Sequence, residues 1–276
     1  MTAPTVSDVM ALMETLAPAQ LAEEWDNVGL QVGRRDAPVR KIRVALDPLP
    51  AVVEAACRDE VDLLVTHHPL IFRPLRQLDF DAPAGRAVEA AARCGMAIFA
   101  AHTNLDSVPD GVNDILAERI GLLADGPLMA SEDAPGAGIG RVGRLREPGP
   151  LDALARRVGR AVGAEFVRVV GNPSAEVAAA ALCSGSGGGL LSRFLAGPAG
   201  CYITGDLKYH EARDIEAAGR VAVDIGHFAS EHLAMAALAR TLAARLDERG
   251  MAVPVDVAAE EREPFRTLAV NGATIP

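Results

Sequence analysis

The sequence predicts an α/β protein with mixed, largely parallel sheets. Two observations carry this. Short β-rich runs alternate with helical patterns along nearly the whole chain, the order expected when helices return successive strands to one sheet. The apolar half of the 276 residues is supplied by alanine, valine and leucine, while aromatic residues make up only 4%, which suits strands buried on both faces.

The elements follow in order. Ser7 is a helix cap, with Val9, Met10, Leu12, Met13 and Leu16 on one face after it. Residues 41–47 (KIRVALD) read as a strand, and 50–60 as a helix opened by Pro50, whose fixed φ suits a first turn. Residues 62–66 (DLLVT) form a strand running into His67-His68-Pro69. After a helix at 84–93, the strand 96–101 (MAIFAA) runs into His102-Thr103-Asn104-Leu105-Asp106, and 111–122 is a helix. The stretch 124–138, rich in Gly, Pro, Asp and Ser, reads as a linker. Beyond it, strands are expected at 140–145, 166–170, 177–183, 201–204, 221–225 and 252–257, and helices at 151–162, from 190, at 207–218 and at 228–249.

Lysine and arginine total 27 and aspartate and glutamate 37, a net charge of −10. An acidic chain without a basic run argues against nucleic acid or an anionic membrane as partner. The longest uncharged run, 177–192, is too short and glycine-rich to span a bilayer. The N-terminus lacks a basic segment followed by an apolar one, so the expected location is cytoplasmic. Four separated cysteines without a Cys-x-x-Cys pair read as small buried hydrophobes, not as a disulfide frame or a thiolate metal site.

The histidines are the informative residues. His67, His68, His102 and His227 fall just past predicted strand ends, and His210 and His232 on the helices that follow such strands. Ligands of open α/β sheets bind outside the carboxyl ends of strands. Taken singly, each constellation has a plain alternative. His67-His68 also suits a turn with two surface histidines, and Asp106 a carboxylate bonded to its own turn. His227 and Glu231 stand four apart on a helix, one face of a turn, as many solvated helices do. Together they offer three imidazoles (His67, His68, His227) and two carboxylates (Asp106, Glu231). That N/O donor set suits Zn, Fe, Mn or Co, and paired ions commonly share a bridging carboxylate or water.

Three other features read as structural. The turn 185–189 (GSGGG) lacks the lysine of a phosphate loop, and Leu190 stands where a dinucleotide fingerprint has glycine, so a tight strand-to-helix turn is expected. Trp25, in an acidic loop, reads as packing. Asp47 is placed to support a neighbouring ligand. Ser7, Ser184 and Ser192 lack an acid–base partner, against a serine hydrolase.

Five segments in this order, EWDNVGL (24–30), LVTHHPL (64–70), AHTNLD (101–106), YITGDLKYHE (202–211) and GHFASE (226–231), resemble the Nif-three-like dinuclear-metal proteins, also labelled GTP cyclohydrolase 1 type 2 homologues. The resemblance spans at least Trp25 to Glu231. It implies two interlinked α/β domains with a metal site in the cleft between them: 1–127 with 221–276 as the first, carrying most ligands, and 128–220 as the second. It implies two divalent ions (Zn, Fe, Mn or similar) held by His67, His68, Asp106, His227 and Glu231. It makes His102 a neighbouring polar residue, and Tyr209, His210 and Glu211 pocket residues from the second domain. A homohexamer is implied, without the extra mid-chain domain of longer members.

The function expected from residues and resemblance together is a metal-dependent hydrolase, GTP cyclohydrolase-like or acting on a phosphoester or nucleotide-type small molecule, with His102, His210 and Glu211 as the catalytic candidates. The alternative is a non-catalytic metal-handling or regulatory protein.

Overall fold

The computed structural model describes residues 3–132 and 134–268. Its elements are α1 (Val6–Leu16), β1 (Gly29–Val32), β2 (Ile42–Ala45), α2 (Pro50–Arg58), β3 (Leu63–Thr66), α3 (Pro83–Cys94), β4 (Ala97–Ala100), α4 (Thr103–Ser107), α5 (Val112–Ile120), β5 (Leu122–Gly126), β6 (Met129–Ala130), β7 (Gly138–Ile139), β8 (Arg141–Pro150), α6 (Leu151–Val162), β9 (Arg168–Val170), β10 (Glu176–Ser186), α7 (Leu191–Ala196), β11 (Cys201–Gly205), α8 (Tyr209–Ala217), β12 (Val221–Asp224), α9 (His227–Glu248) and β13 (Val255–Val257).

Two sheets organise them. The first has the order β1-β4-β3-β2-β13, parallel except for the edge strand β1. The second has the order β5-β8-β10-β11-β12-β9, with β10, β11 and β12 parallel and the other pairings antiparallel. The mixed α/β class expected from the alternation is the one observed. Strands β2, β3, β4, β11 and β12 are buried at every residue. Both faces of each are covered, so the runs are continuous rather than alternating. One face of the first sheet packs on α1 and α9, the other on α2 and α3. One face of the second packs on α5 and α6, the other on α7 and α8.

Two helices tie the sheets together. Helix α5 puts Val112 into the core of the first sheet and Leu116, Ala117 and Ile120 into that of the second. Helix α9 starts beyond β12, in the second sheet, yet buries Ala234, Met235, Leu238, Leu242 and Leu246 against the first. Each fully buried leucine or methionine contributes about 1.5–3 kcal/mol, so α9 is anchored well beyond its own helical propensity.

Several local expectations are corrected. Thr5, not Ser7, caps α1: its hydroxyl accepts from the backbone N–H of Asp8, whose carboxylate accepts from the Thr5 N–H. This reciprocal box ends both orphan donors. The expected linker holds β5, β6 and β7, and β5 belongs to the second sheet. Strand β12 does too. The chain passes from the first sheet to the second at Leu122 and returns to the first after Asp224. Residues 140–171 hold β8, α6 and β9. Cys57 on α2 and Cys94 on α3 are joined as a disulfide, their Cα atoms 5.8 Å apart. Only the packing of α2 on α3 brings them together across 37 residues. Cys183 and Cys201 are free and buried, as expected. Among the described residues, no helix is long and apolar enough to cross a membrane.

Candidate metal centre

The parallel strands of both sheets deliver their C-terminal ends to one place. His67 and His68 follow β3, Asp106 lies on α4 just past β4, and His227 opens α9 after β12. The end of β10 closes the gap. Asn113 of α5, wholly buried, donates to the carbonyl of Asp106 (3.0 Å) and accepts from the backbone of Ser184 (2.9 Å). The Ser184 hydroxyl donates to Asp106 Oδ1 at 3.3 Å.

The four imidazoles are aimed alike. Nδ1 of His67 lies 3.0 Å from the Ala101 carbonyl, that of His68 2.8 Å from Asp47 Oδ1, that of His227 2.8 Å from Asp206 Oδ2 and that of His102 2.9 Å from Asp26 Oδ1. Each partner only accepts, so each ring donates from Nδ1 and turns Nε2 toward the cluster, the orientation of metal-binding histidines once Nε2 gives up its proton to an ion.

The Nε2 atoms meet the carboxylates. Glu231 Oε2 is 3.1 Å from His68 Nε2 and 3.0 Å from His227 Nε2, while Oε1 is 3.8 Å from His67 Nε2; Asp106 Oδ1 is 3.7 Å from His67 Nε2. The Nε2 atoms of His68 and His227 face each other at 3.3 Å. Ligand-type atoms of His68, His227 and Glu231 all lie within 4.8 Å of one another, as do those of His67, Asp106 and Glu231, and those of His67, His68 and His102.

These groups could hold divalent ions. His67 Nε2 and Glu231 Oε2 are buried without a hydrogen bond of proper geometry, an expensive state for polar atoms unless a cation completes them. Electrostatics agree. Burial disfavours a charged His68, but Asp47 and Glu231 overcome it and raise the ring to about 10. The bond to Glu231, against burial, raises His227 to about 9. Burial would raise Glu231, yet the three surrounding imidazoles hold it well below its usual range; burial dominates at Asp106 and raises it. Buried Glu231 and partly buried Asp106 draw positive charge into the cluster, and divalent cations would supply it without crowding two imidazoliums at 3.3 Å.

All five predicted ligands are thus brought together, and His102 stands beside them. His210 and Glu211 are placed elsewhere. His210 is exposed on α8 with its ring against Tyr209, and Glu211 accepts from the Lys208 backbone (2.8 Å) to cap that helix. Neither lines the cavity, of about 680 Å³, above the cluster. Asp26 and Asp206 lie in two of the quoted segments, but nothing in their spacing marks them as partners of His102 and His227.

The Gly-rich turn has a steric role. Gly185 has φ +58°, and a Cβ there would sit 2.1 Å from Glu231 Oε1. Its N–H donates to Ser230 Oγ at 2.8 Å. The turn is a strand-to-helix connection, as expected, and its bare backbone also makes room for the carboxylate.

Asp26 yields a stability prediction. Burial would raise its pKa, but bonds from the His102 ring and from the Thr103 N–H and hydroxyl outweigh this and lower it to about 2. A folded value below the unfolded one stabilises the protein above about pH 4, and the benefit disappears as pH falls through 2. Denaturant titrations should show this acid-dependent component, on the order of 1–2 kcal/mol, in the wild type and not in Asp26→Asn.

A doubly covered α/β protein of two sheets, with imidazoles and carboxylates converging between their strand ends, is the class defined by this fold and site. The chain belongs to the Duf34/NIF3 (NGG1p interacting factor 3) family, whose model matches residues 4–264. A relative from Lactococcus lactis subsp. lactis named GTP cyclohydrolase 1 type 2 homolog is 35% identical over 94% of this chain and 98% of its own. One of the same name from Clostridium acetobutylicum is 31% identical over 95% and 98%. The crystal structure of a Bacillus cereus protein related to NIF3 superposes with a TM-score of 0.89 at 24% identity, covering 97% of this chain and 100% of that one. Reduced HcgD from Methanocaldococcus jannaschii gives 0.78 at 28% identity, over 93% and 98%.

Proposed function

We propose that the chain is a dinuclear metal-dependent hydrolase acting on a small phosphoester or nucleotide-type substrate, in line with the GTP cyclohydrolase 1 type 2 homologue name of its relatives. One observation carries the reading: His68/His227/Glu231 and His67/Asp106/Glu231 form two donor groups that share one carboxylate, the pattern of a paired-ion site. Zn, Fe and Mn all accept such N/O ligands, and no cysteine enters these groups among the described residues.

Bound divalent ions would polarise the scissile group and activate a water there. The protein's own residues do the rest. Asp106 and Glu231 supply buried negative charge, and Asp47 and Asp206 keep His68 and His227 in the ligating tautomer. His102 lines the cavity with Nδ1 tied to Asp26, so its Nε2 is free to hold or pass a proton at a group bound beside the cluster. The same reading takes the protein to be cytoplasmic and to work as a homohexamer, which sedimentation checks.

The test is a screen of Mn2+- and Zn2+-loaded protein against nucleotides, phosphoesters and cyclic amidines. Turnover that is saturable and lost in Glu231→Gln supports the hydrolase. Stoichiometric metal, exchangeable with apo-enzymes, without turnover across the panel would favour the metal-handling alternative.

A further inference from the structure

Trp25 is the only tryptophan in the chain, and it is not packing. It is 57% exposed, and Phe72 is 44% exposed. Their ring centroids lie 5.7 Å apart at 60°, and both stand edge-on to the His102 ring, at 6.0 and 6.4 Å. All three rings line the cavity over the metal-ligand cluster, and Met129, Ile139 and Leu190 line it too.

The rings are held there. Asp26, its side chain fully buried, is clamped by His102 and by Thr103. Asn27 Nδ2 donates to the carbonyl of Ile71 at 2.5 Å, and Gln31 Oε1 accepts from the Ile71 N–H at 3.2 Å. The Trp25 loop is thereby tied on one side to the residue before Phe72 and on the other to a cavity histidine. Open aromatic surface forgoes the gain of burial, yet here hydrogen bonds fix it open, facing a space within the 300–1,000 Å³ of small-molecule sites. Leu75, Leu78 and Phe80, further along the same segment, are also exposed but do not line the cavity.

The cavity has two kinds of wall: carboxylates and imidazoles at its floor, and tilted aromatic rings with aliphatic side chains beside them. Tilted and offset rings within 4.5–7 Å accept a further flat ring by stacking or edge contact, and such stacking tolerates any nucleobase because each has a π-face. We propose that Trp25 and Phe72 form a ring-binding subsite that selects ligands carrying a planar heteroaromatic ring of nucleobase type next to the group presented to the His/carboxylate cluster. This rests on the hydrolase reading only for what happens at the cluster; ring binding is measured separately.

Trp25 reports on its own site. The full chain loaded with Mn2+ is titrated with guanosine, adenosine and uridine 5′-monophosphates, with ribose 5-phosphate and inorganic phosphate as ring-free probes, and tryptophan fluorescence is followed. The nucleotides should give a saturable change that the ring-free probes do not. By calorimetry, Trp25→Leu should bind the nucleotides roughly 5- to 100-fold more weakly, with Trp25→Phe close to wild type and metal content unchanged in both. Equal binding of ribose 5-phosphate and the nucleotides, absence of nucleotide binding at millimolar concentration with metal in place, or unaltered affinity in Trp25→Leu would each overturn the subsite. So would a Trp25→Leu variant that loses self-association but binds nucleotides as before, which assigns the patch to a second copy of the chain. Ring binding without any turnover would retain the subsite and reject the hydrolase.

Discussion

Glu231→Gln is expected to abolish tight metal binding at both donor groups. Glu231 is 3% exposed and belongs to both, so a single isosteric change removes the shared negative charge. Gln presents one neutral acceptor where Oε1 and Oε2 faced three imidazoles. Removing a partner that merely supports a ligand costs about 10–100-fold in metal affinity; removing the shared ligand should exceed that. The fold should survive. Breaking a buried ion pair typically costs about 3–5 kcal/mol because a charge is stranded, but His67, His68 and His227 can release their protons when the carboxylate is gone. Elemental analysis and metal titration on a folded variant decide it. Two ions bound with wild-type affinity would remove Glu231 from the centre.

Gly185→Ala is the second large effect, and it acts without replacing a donor residue. The positive φ costs an alanine about 1–2 kcal/mol, and the new methyl would overlap Glu231 Oε1 at 2.1 Å and approach His227 Nε2 at 3.2 Å. Overpacking of this kind typically costs a further 1–3 kcal/mol. The expected result is about 2–5 kcal/mol of lost stability together with weakened metal binding, read by denaturant titration and metal stoichiometry. Gly189→Ala is the control: nothing lies within 4 Å of its Cβ position and its φ is ordinary, so stability should stay within about 0.5 kcal/mol. A Gly185→Ala protein as stable as that control would show that β10 does not press on the centre.

The candidate ligand residues are legible because of where they stand along the chain. His67, His68, Asp106 and His227 follow buried strands whose runs are unmistakable, and Glu231 is one helical turn beyond His227. Asp47, at the end of β2, is the one supporting carboxylate that strand-end placement also marked. Other supports were hidden. Asp26 reaches His102 across 76 residues, and no local pattern distinguishes a carboxylate that will meet an imidazole from one that will meet water. Trp25 is hidden for the same reason: a tryptophan among acidic residues has the composition of a packed loop, and only the tie between Asn27, Gln31 and Ile71 holds it open. His210 and Glu211 show the opposite limit of strand-end placement. They adjoin a strand end, but neither lines the cavity, and Glu211 sits behind the turn at Gly188.

By itself, the sequence determined the α/β class and the set of donor residues, because strand and helix periods and the chemistry of side chains are local properties. Tertiary structure alone decided what those donors face. Helix α9 leaves one sheet and buries itself against the other, and that crossing brings His227 and Glu231 to within about 4 Å of His67 and His68. Whether a buried carboxylate sits among water, protons or metal-ligating nitrogens depends on distances of a few ångströms between segments more than 150 residues apart, and such distances are set by packing of the two cores, not by any stretch of chain.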